Sequence, residues 1–184
     1  MTKQKYPSDK VDGVILHSLT QIVIVLLIFL QACGGGGGES VVPRAQKSAI
    51  VEFAAATTNT DASARTEGVS MVVRLPEGVT VATDQGSSTA ISGALVGVNN
   101  FLISFPTYAA ANNEVTFYAT NVSNTAANVV FARLTCDVKP GYTLAPAEFS
   151  SIIPTVFEPT GPGGSDLTLV NPPVLSKISA TFGY

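Results

Sequence analysis

From Ala49 onward, apolar and polar residues alternate along the chain with a period of two. This spacing is typical of β-strands, because successive side chains of a strand point to opposite faces of a sheet. Clusters of Gly, Pro, Asn, Asp and Ser separate the alternating segments and predict turns. The pattern predicts strands at residues 49–55, 69–75, 79–82, 90–98, 101–105, 114–120, 129–138, 152–157, 166–170 and 178–184.

The clearest alternation lies at 129–138, which we expect to be a central strand. Its inward face is predicted to carry Val130, Ala132, Leu134, Cys136 and Val138. Asn99 and Asn100 separate two apolar runs and predict a hairpin turn between them. Residues 147–150 fit either a short helical turn or a strand. Short strands without crossover helices indicate an all-β fold, an antiparallel two-sheet sandwich over residues 48–184.

The N-terminal segment has a different pattern. Three lysines precede a continuous apolar run at residues 22–30, the layout of a secretory signal. A transmembrane anchor is the alternative, but a span needs about 20 mostly apolar residues. Polar residues from His17 to Gln21 interrupt the first half of the segment, which favours the signal.

The run ends at Leu30, Gln31, Ala32 and Cys33, and this order resembles the lipobox of bacterial lipoproteins. The resemblance implies that residues 1–32 are removed and that Cys33 becomes an acylated N-terminus held in a lipid bilayer. Gly34 follows the cysteine, where lipoproteins kept at the inner membrane carry Asp. The resemblance therefore implies a cell-envelope protein at the outer membrane of a Gram-negative bacterium.

Residues 33–47 begin with Cys33 and five glycines, which cannot hold one backbone conformation and predict a flexible tether. About ten such residues reach roughly 15 to 20 Å, enough to clear lipid headgroups. A phosphate-binding loop is the alternative for a glycine run, but it needs a preceding strand and a following Lys and Ser/Thr. The sequence around residues 34–38 has neither.

A second resemblance covers residues 48–184. The predicted strands at 69–75 and 114–120, the segment 131–138 and its loop into 147–150 are similar to cohesin domains and related carbohydrate-binding sandwich modules. This resemblance implies a jelly-roll binding module that recognises a partner protein or a polysaccharide and does not catalyse a reaction.

Charge and composition exclude several other functions. Without residues 1–32, the chain keeps seven basic and eleven acidic residues, a net charge of −4, which disfavours a nucleic-acid partner. His17, the sole histidine, lies in the predicted signal, so the remaining chain cannot form a Ser-His-Asp or Cys-His nucleophile. Cys33 is the one other cysteine of the sequence and is expected to be acylated, so we expect no disulfide at Cys136. Burial should keep the Cys136 thiol unreactive. We expect no cofactor and no metal.

The acidic residues raise two hypotheses, a glycosidase site and a calcium site. A glycosidase needs a pair of carboxyl groups, yet the acids occur singly, mostly at turns and strand ends, as Glu77, Asp84, Glu114 and Asp137. Asp84 or Asp166 could contribute to a calcium site, but neither has the closely spaced acidic residues of a dedicated loop. The Asn121-Val122-Ser123 glycosylation pattern is interpreted as loop.

The sequence therefore predicts a membrane-anchored, non-catalytic module for protein–protein interaction. The alternative is a polysaccharide-binding module, which stacks sugars on exposed aromatic rings. The chain has no Trp, so the candidate ligand-face aromatics are Tyr108, Tyr118 and Tyr142. A glycan hydrolase is a third hypothesis, but it lacks the catalytic residues described above.

Overall fold

A computed structural model describes residues 44–61, 64–121, 123 and 127–184. The predicted signal, Leu30 to Ala32 of the lipobox and Cys33 lie outside the described residues. Within them the alternating segments form nine strands, one short helix and one 3₁₀ turn. The strands are β1 (Ser48–Ala56), β2 (Gly68–Arg74), β3 (Val79–Thr80), β4 (Leu95–Gly97), β5 (Phe101–Ala109), β6 (Glu114–Asn121), β7 (Val129–Val138), β8 (Val156–Thr160) and β9 (Leu175–Gly183). The helix is α1 (Pro146–Ser150), and the 3₁₀ turn is Pro162–Gly164.

The strands form two antiparallel sheets. Sheet A has the order β3-β7-β1-β9, and β4 also pairs with β7. Sheet B has the order β5-β6-β2-β8. The predicted all-β class with two antiparallel sheets is confirmed, and β7 is an interior strand of sheet A, as its alternation indicated.

Four phenylalanines join the sheets across the core. Phe53 of sheet A lies 5.4 Å from Phe117 of sheet B, measured between ring centroids. Phe117 lies 6.2 Å from Phe131 of sheet A, which lies 5.9 Å from Phe101 of sheet B. Tilted ring pairs at these separations are favourable, and each large ring also removes apolar area from water. The sandwich is therefore held by rings that alternate between its two layers.

A β-bulge in β7 changes the predicted inward face. The register with β1 passes from Phe53 opposite Ala132 to Ala54 opposite Val130, so Phe131 is an extra residue. Phe131 is fully buried and Val130 is only half-buried. The prediction of an inward Val130 was therefore wrong, whereas the remaining inward residues of β7 are buried as predicted.

The turn at Asn99 and Asn100 is present, but the hairpin is not. Both residues have positive φ, 53° and 65°, and the Phe101 amide donates to the Val98 carbonyl over 3.1 Å. The turn joins β4, which pairs in sheet A, to β5, which pairs in sheet B. It therefore carries the chain between layers instead of joining neighbours, and the strand predicted at 90–98 shortens to β4.

The prediction of a strand at 166–170 was also wrong, because this segment forms no strand. The Asp166 carboxylate accepts from the Thr168 amide at 2.9 Å and from the Thr168 hydroxyl at 2.7 Å. Such local side-chain bonds compete with a sheet ladder. The other corrections are small: β3 ends at Thr80, β8 begins only at Val156, and residues 147–150 belong to α1.

The antiparallel registers define two ends of the sandwich. At the entry end, where the chain enters at Ser48, that residue lies opposite Gly183 and Asp137. At the far end, Ala56 lies opposite Leu175, and β7 begins at Val129. The ends of β1, β4, β6 and β8 and the starts of β2, β5, β7 and β9 also lie at the far end, as the registers require.

Candidate functional site

An open cavity of about 500 Å³ lies at the far end, where β1 and β9 meet the surrounding loops. Most of its lining is apolar, and its lining residues include Ala56, Thr58, Asn128, Pro172, Pro173 and Leu175. A second cavity, of about 410 Å³, continues over the outer face of sheet A and shares Ala56, Asn128 and Lys177 with the first. We call the two together the far-end groove.

Small side chains on β1 explain the space in the groove. Ala54 and Ala56 lie near the end of β1, and their methyl groups leave room between β7 and β9. Thr57 forms hydrogen bonds to Asn128 and Pro172, which lie in two other loops of the far end. Its amide donates to Asn128 Oδ1 at 2.7 Å, and its hydroxyl donates to the Pro172 carbonyl at 3.3 Å. The groove is thus bordered by loops that are hydrogen-bonded to one another.

The charges at the groove are unequal. Glu52 already accepts from Arg133 Nε at 2.8 Å across β1 and β7. Lys177 lies opposite Ala54 in the register of β1 and β9, is exposed, and has no ion pair among the residues described by the structure. The far-end groove is therefore apolar with a cationic side chain at its rim.

The outer face of sheet B carries a second candidate surface around Tyr118. A Cβ atom placed on Gly68 would lie 2.8 Å from the Tyr118 hydroxyl and 2.5 Å from Thr160 Oγ1. The end of the phenol ring therefore lies over Gly68, where a larger residue would displace it. Tyr118 remains 40% exposed, so this ring rests on the sheet and still presents surface to solvent.

Phe105 is an exposed aromatic residue that is not among the predicted ligand-face aromatics. It lies at a register break in β5, has a φ of 52°, and is 88% exposed. A positive φ is unusual for a bulky residue and is tolerated here within a β-bulge. Leu102, which is also exposed, lies earlier on the same strand. The sequence signal for this site, an apolar side chain beside Pro106, was too weak to distinguish Phe105 from a core residue.

The structure separates the three predicted tyrosines. Tyr108 is only 4% exposed, and its hydroxyl donates to Asn113 Oδ1 at 2.8 Å, so it is a core residue and not a ligand-face aromatic. Burial raises the pKa of Tyr108. Tyr142 is partly exposed and donates to Glu77 Oε1 at 2.9 Å, a bond that raises its pKa. Of the three, only Tyr118 lies on the outer face of a sheet.

Asp84 organises its own loop. Its two carboxylate oxygens accept from the Ser92 and Gly93 amides at 2.9 and 3.0 Å, and these bonds lower its pKa. It borders a cleft of about 280 Å³ together with Asp137. Among residues 44–61, 64–121, 123 and 127–184, no group of three His, Cys, Asp or Glu side chains is placed to hold a metal ion.

Cys136 is buried, as its place in the alternation predicted. Burial raises the pKa of its thiol to about 12, and the neighbouring Asp137 carboxylate acts in the same direction. A thiol in this environment is protonated at neutral pH, whereas the thiolate is the reactive form. Cys136 therefore belongs to the core, away from the two candidate surfaces.

The described residues contain no helix long and apolar enough to cross a membrane. No protein-family model, curated protein or solved structure matches the chain.

Proposed function

We propose that this protein is a lipid-anchored protein of the cell envelope whose sandwich binds a partner protein without catalysing a reaction. The observation that carries the proposal is the far-end groove, an apolar concavity at the end of the domain opposite Ser48. Open apolar concavities rimmed by polar groups are typical of interaction sites. The domain type we propose is the cohesin-like jelly roll that the strand order resembles.

The proposed anchor explains the position of the groove. The lipobox-like residues Leu30 to Cys33 would place an acylated Cys33 in the membrane, and residues 34–45 would tether it to the domain. The tether predicted to extend to residue 47 ends earlier, because Gln46 and Lys47 hydrogen-bond to Leu144 and Gly183. Because the chain enters at Ser48, the tether joins the entry end. The far end is then the end opposite the attachment, so the tether would leave it free to meet a large partner, and tethering would raise the effective concentration for partners on the same surface.

A protein is the favoured ligand because of the chemistry of the groove. Its lining combines prolines, alanines and Leu175 with Lys177 and Glu52, and none of the described lining residues is aromatic. Sugar binding normally uses aromatic stacking. The lack of histidine beyond residue 32 supports a non-catalytic function.

The second candidate function, polysaccharide binding, is favoured by Tyr118. Its ring lies over Gly68 with one part open to solvent, as a stacking platform requires. In the register, Tyr118 has Ser70 and Ser104 as its neighbours on either side, so hydroxyl groups flank the ring. These contacts suit a neutral sugar.

Site-specific cross-linking separates the two functions. The full chain, purified in detergent, would carry a photo-reactive amino acid at Thr58 beside the groove or at Thr116 on the outer face of sheet B. We expect one envelope protein to cross-link through Thr58, and Leu175→Asp to abolish this product. Ile153→Asp, which alters another strongly exposed apolar residue, is the matched control and should leave it intact.

The polysaccharide hypothesis gives a different result. Binding to a glycan array that Tyr118→Ala abolishes and Leu175→Asp leaves unchanged, with no cross-linked protein at Thr58, would replace the proposed function. The anchor is tested separately by mass spectrometry of membrane-extracted protein. We expect an acylated Cys33 terminus in the wild type and an uncleaved chain in Cys33→Ser, and an intact, unlipidated Met1 terminus in the wild type would refute the anchor.

A further inference from the structure

β9 is an edge strand of sheet A, and side chains from its first half line the far-end groove. It pairs with β1 along its length and has no second ladder partner among the described residues. Alternate amide and carbonyl groups of an edge strand point away from the sheet and can pair with another chain. Such edges are used to bind extended peptides by strand addition.

The helix α1 contacts β9 toward the entry end. Phe149 of α1 contacts Phe182, with 5.8 Å between ring centroids, near the end of β9 at the entry end. Leu175 to Ser179 lie in the other half, beside the groove. The half of β9 whose side chains line the groove is therefore the half opposite this ring contact.

The side chains on this half follow a regular alternation. Leu175, Lys177 and Ser179 are exposed, whereas Ile178 is buried in the core. Leu175 and Lys177 both line the groove, so an apolar position and a cationic position lie two residues apart on one face. A strand added to this edge would place its own alternate side chains beside these two residues.

We infer that the partner presents an extended segment that adds to β9 as a strand, with an apolar residue beside Leu175 and an Asp or Glu two positions away beside Lys177. This inference rests on the proposed function, because it names the segment of the partner that binds beside the groove, next to Leu175 and Lys177. Lys177 also supplies selectivity. A lysine on an edge strand opposes pairing with an arbitrary apolar strand, and a carboxylate in the added strand removes that penalty.

The test uses displayed libraries of short random peptides, selected on the full chain in detergent. We expect enrichment of peptides with Asp or Glu two positions from an aliphatic residue. Lys177→Glu should reverse the preference to Lys or Arg and weaken the best wild-type peptide about tenfold, as expected when an exposed attraction of up to about 1 kcal/mol becomes a repulsion. Lys139→Glu changes the same charge near the entry end and should preserve both the preference and the affinity.

Hydrogen exchange gives a readout that does not depend on charge. The selected peptide should slow amide exchange within residues 175–179 and leave that of β5 and β8, the edges of sheet B, unchanged. Protection at another edge, no acidic preference, or the same preference in Lys177→Glu would overturn the inference. Failure to select any peptide, with the Thr58 cross-link retained, would reject strand addition while the proposed function stands. If no envelope protein cross-links through Thr58 in the otherwise unchanged chain, the proposed function is rejected instead.

Discussion

The entry end and the far end of the sandwich are built from different contacts. At the entry end, the buried Gln46 side chain accepts from the Leu144 amide at 2.7 Å and donates to the Leu144 carbonyl at 2.9 Å. At the far end, Thr57 and Asn128 join loops through bonds that are at least partly exposed, and the groove beside them is open. The entry end has clefts of about 280 and 230 Å³ beside Asp137 and Lys139, whereas the far-end cavities hold about 410 and 500 Å³. The two ends therefore differ in their buried side-chain bonds and in the size of the open space.

The strongest test of this comparison is thiol labelling at the two ends. In a Cys33→Ser background, Cys136, which lies opposite Ala49 toward the entry end, should react with a bulky thiol reagent only through unfolding. With Cys136 also changed to Ser, Leu175→Cys should react directly, because that position is exposed. A stability of at least about 5 kcal/mol makes the rates differ by about a thousandfold or more. The labelling rates are measured by mass spectrometry at pH 8, and comparable rates at the two positions would contradict the burial of Cys136.

Truncation of one apolar residue at each end should give the next largest difference. Phe149→Ala removes a fully buried ring that contacts Phe182, so we expect a loss of about 3 to 5 kcal/mol in the free energy of unfolding. Leu175→Ala removes an exposed side chain and should change it by less than about 0.5 kcal/mol. Urea denaturation of both variants measures the contrast, and equal losses would show that the groove is part of the core.

Removal of the Gln46 side chain tests the hydrogen bonds of the entry end. Gln46→Ala leaves the amide and carbonyl of the buried Leu144 without these partners, which should cost about 2 to 3 kcal/mol. Gln46→Glu retains the acceptor oxygen but places a buried carboxylate oxygen against the Leu144 carbonyl, so its loss at neutral pH should be at least as large. Denaturation at neutral pH gives both values, and an unchanged midpoint for Gln46→Ala would show that water replaces the side chain.

The smallest expected effect concerns the Asp84 loop, which belongs to neither end. Its pKa in the folded state is lowered by the Ser92 and Gly93 amides, so ionised Asp84 stabilises the fold above the unfolded pKa of about 3.9. This contribution is lost as the pH falls through the folded value. Asp84→Asn should therefore lower the melting temperature at pH 7 and flatten its decline below pH 4. An unchanged acid profile would show that the two amide bonds do not depend on the charge.

The positions of several strands and of one tight turn could be predicted from the sequence, whereas the partner of each strand in the sheets could not. The period-two pattern located β1, β2, β6 and β7, and Asn99 and Asn100 form the predicted tight turn. The strands joined by that turn belong to different sheets, because their partners are chosen by burial across the whole core. Bulges were also hidden, since the extra residue at Phe131 has no glycine or other local signal and changes which side chains face inward.

The candidate sites show the same limit. Tyr118 was identified as a tyrosine on an alternating strand, and its exposure agrees with that pattern. Tyr108 lies beyond the register break near Phe105, so its burial depended on a bulge that the sequence did not reveal. The groove requires Ala56, Asn128 and Leu175 to be neighbours, and only the registers of β1 with β7 and β9 bring these distant residues together.

β1 has ladders on both sides, to β7 and to β9, and this arrangement has a mechanical consequence. Under the proposed anchoring, the tether would pull β1 toward the entry end while a partner bound to β9 pulled toward the far end. The tension would run parallel to the strands, and antiparallel inter-strand hydrogen bonds are perpendicular to that direction. The rungs between β1 and β9 would then be loaded in shear and would have to break together. Under the proposed function, the first strand after the tether would thus be the force-bearing element.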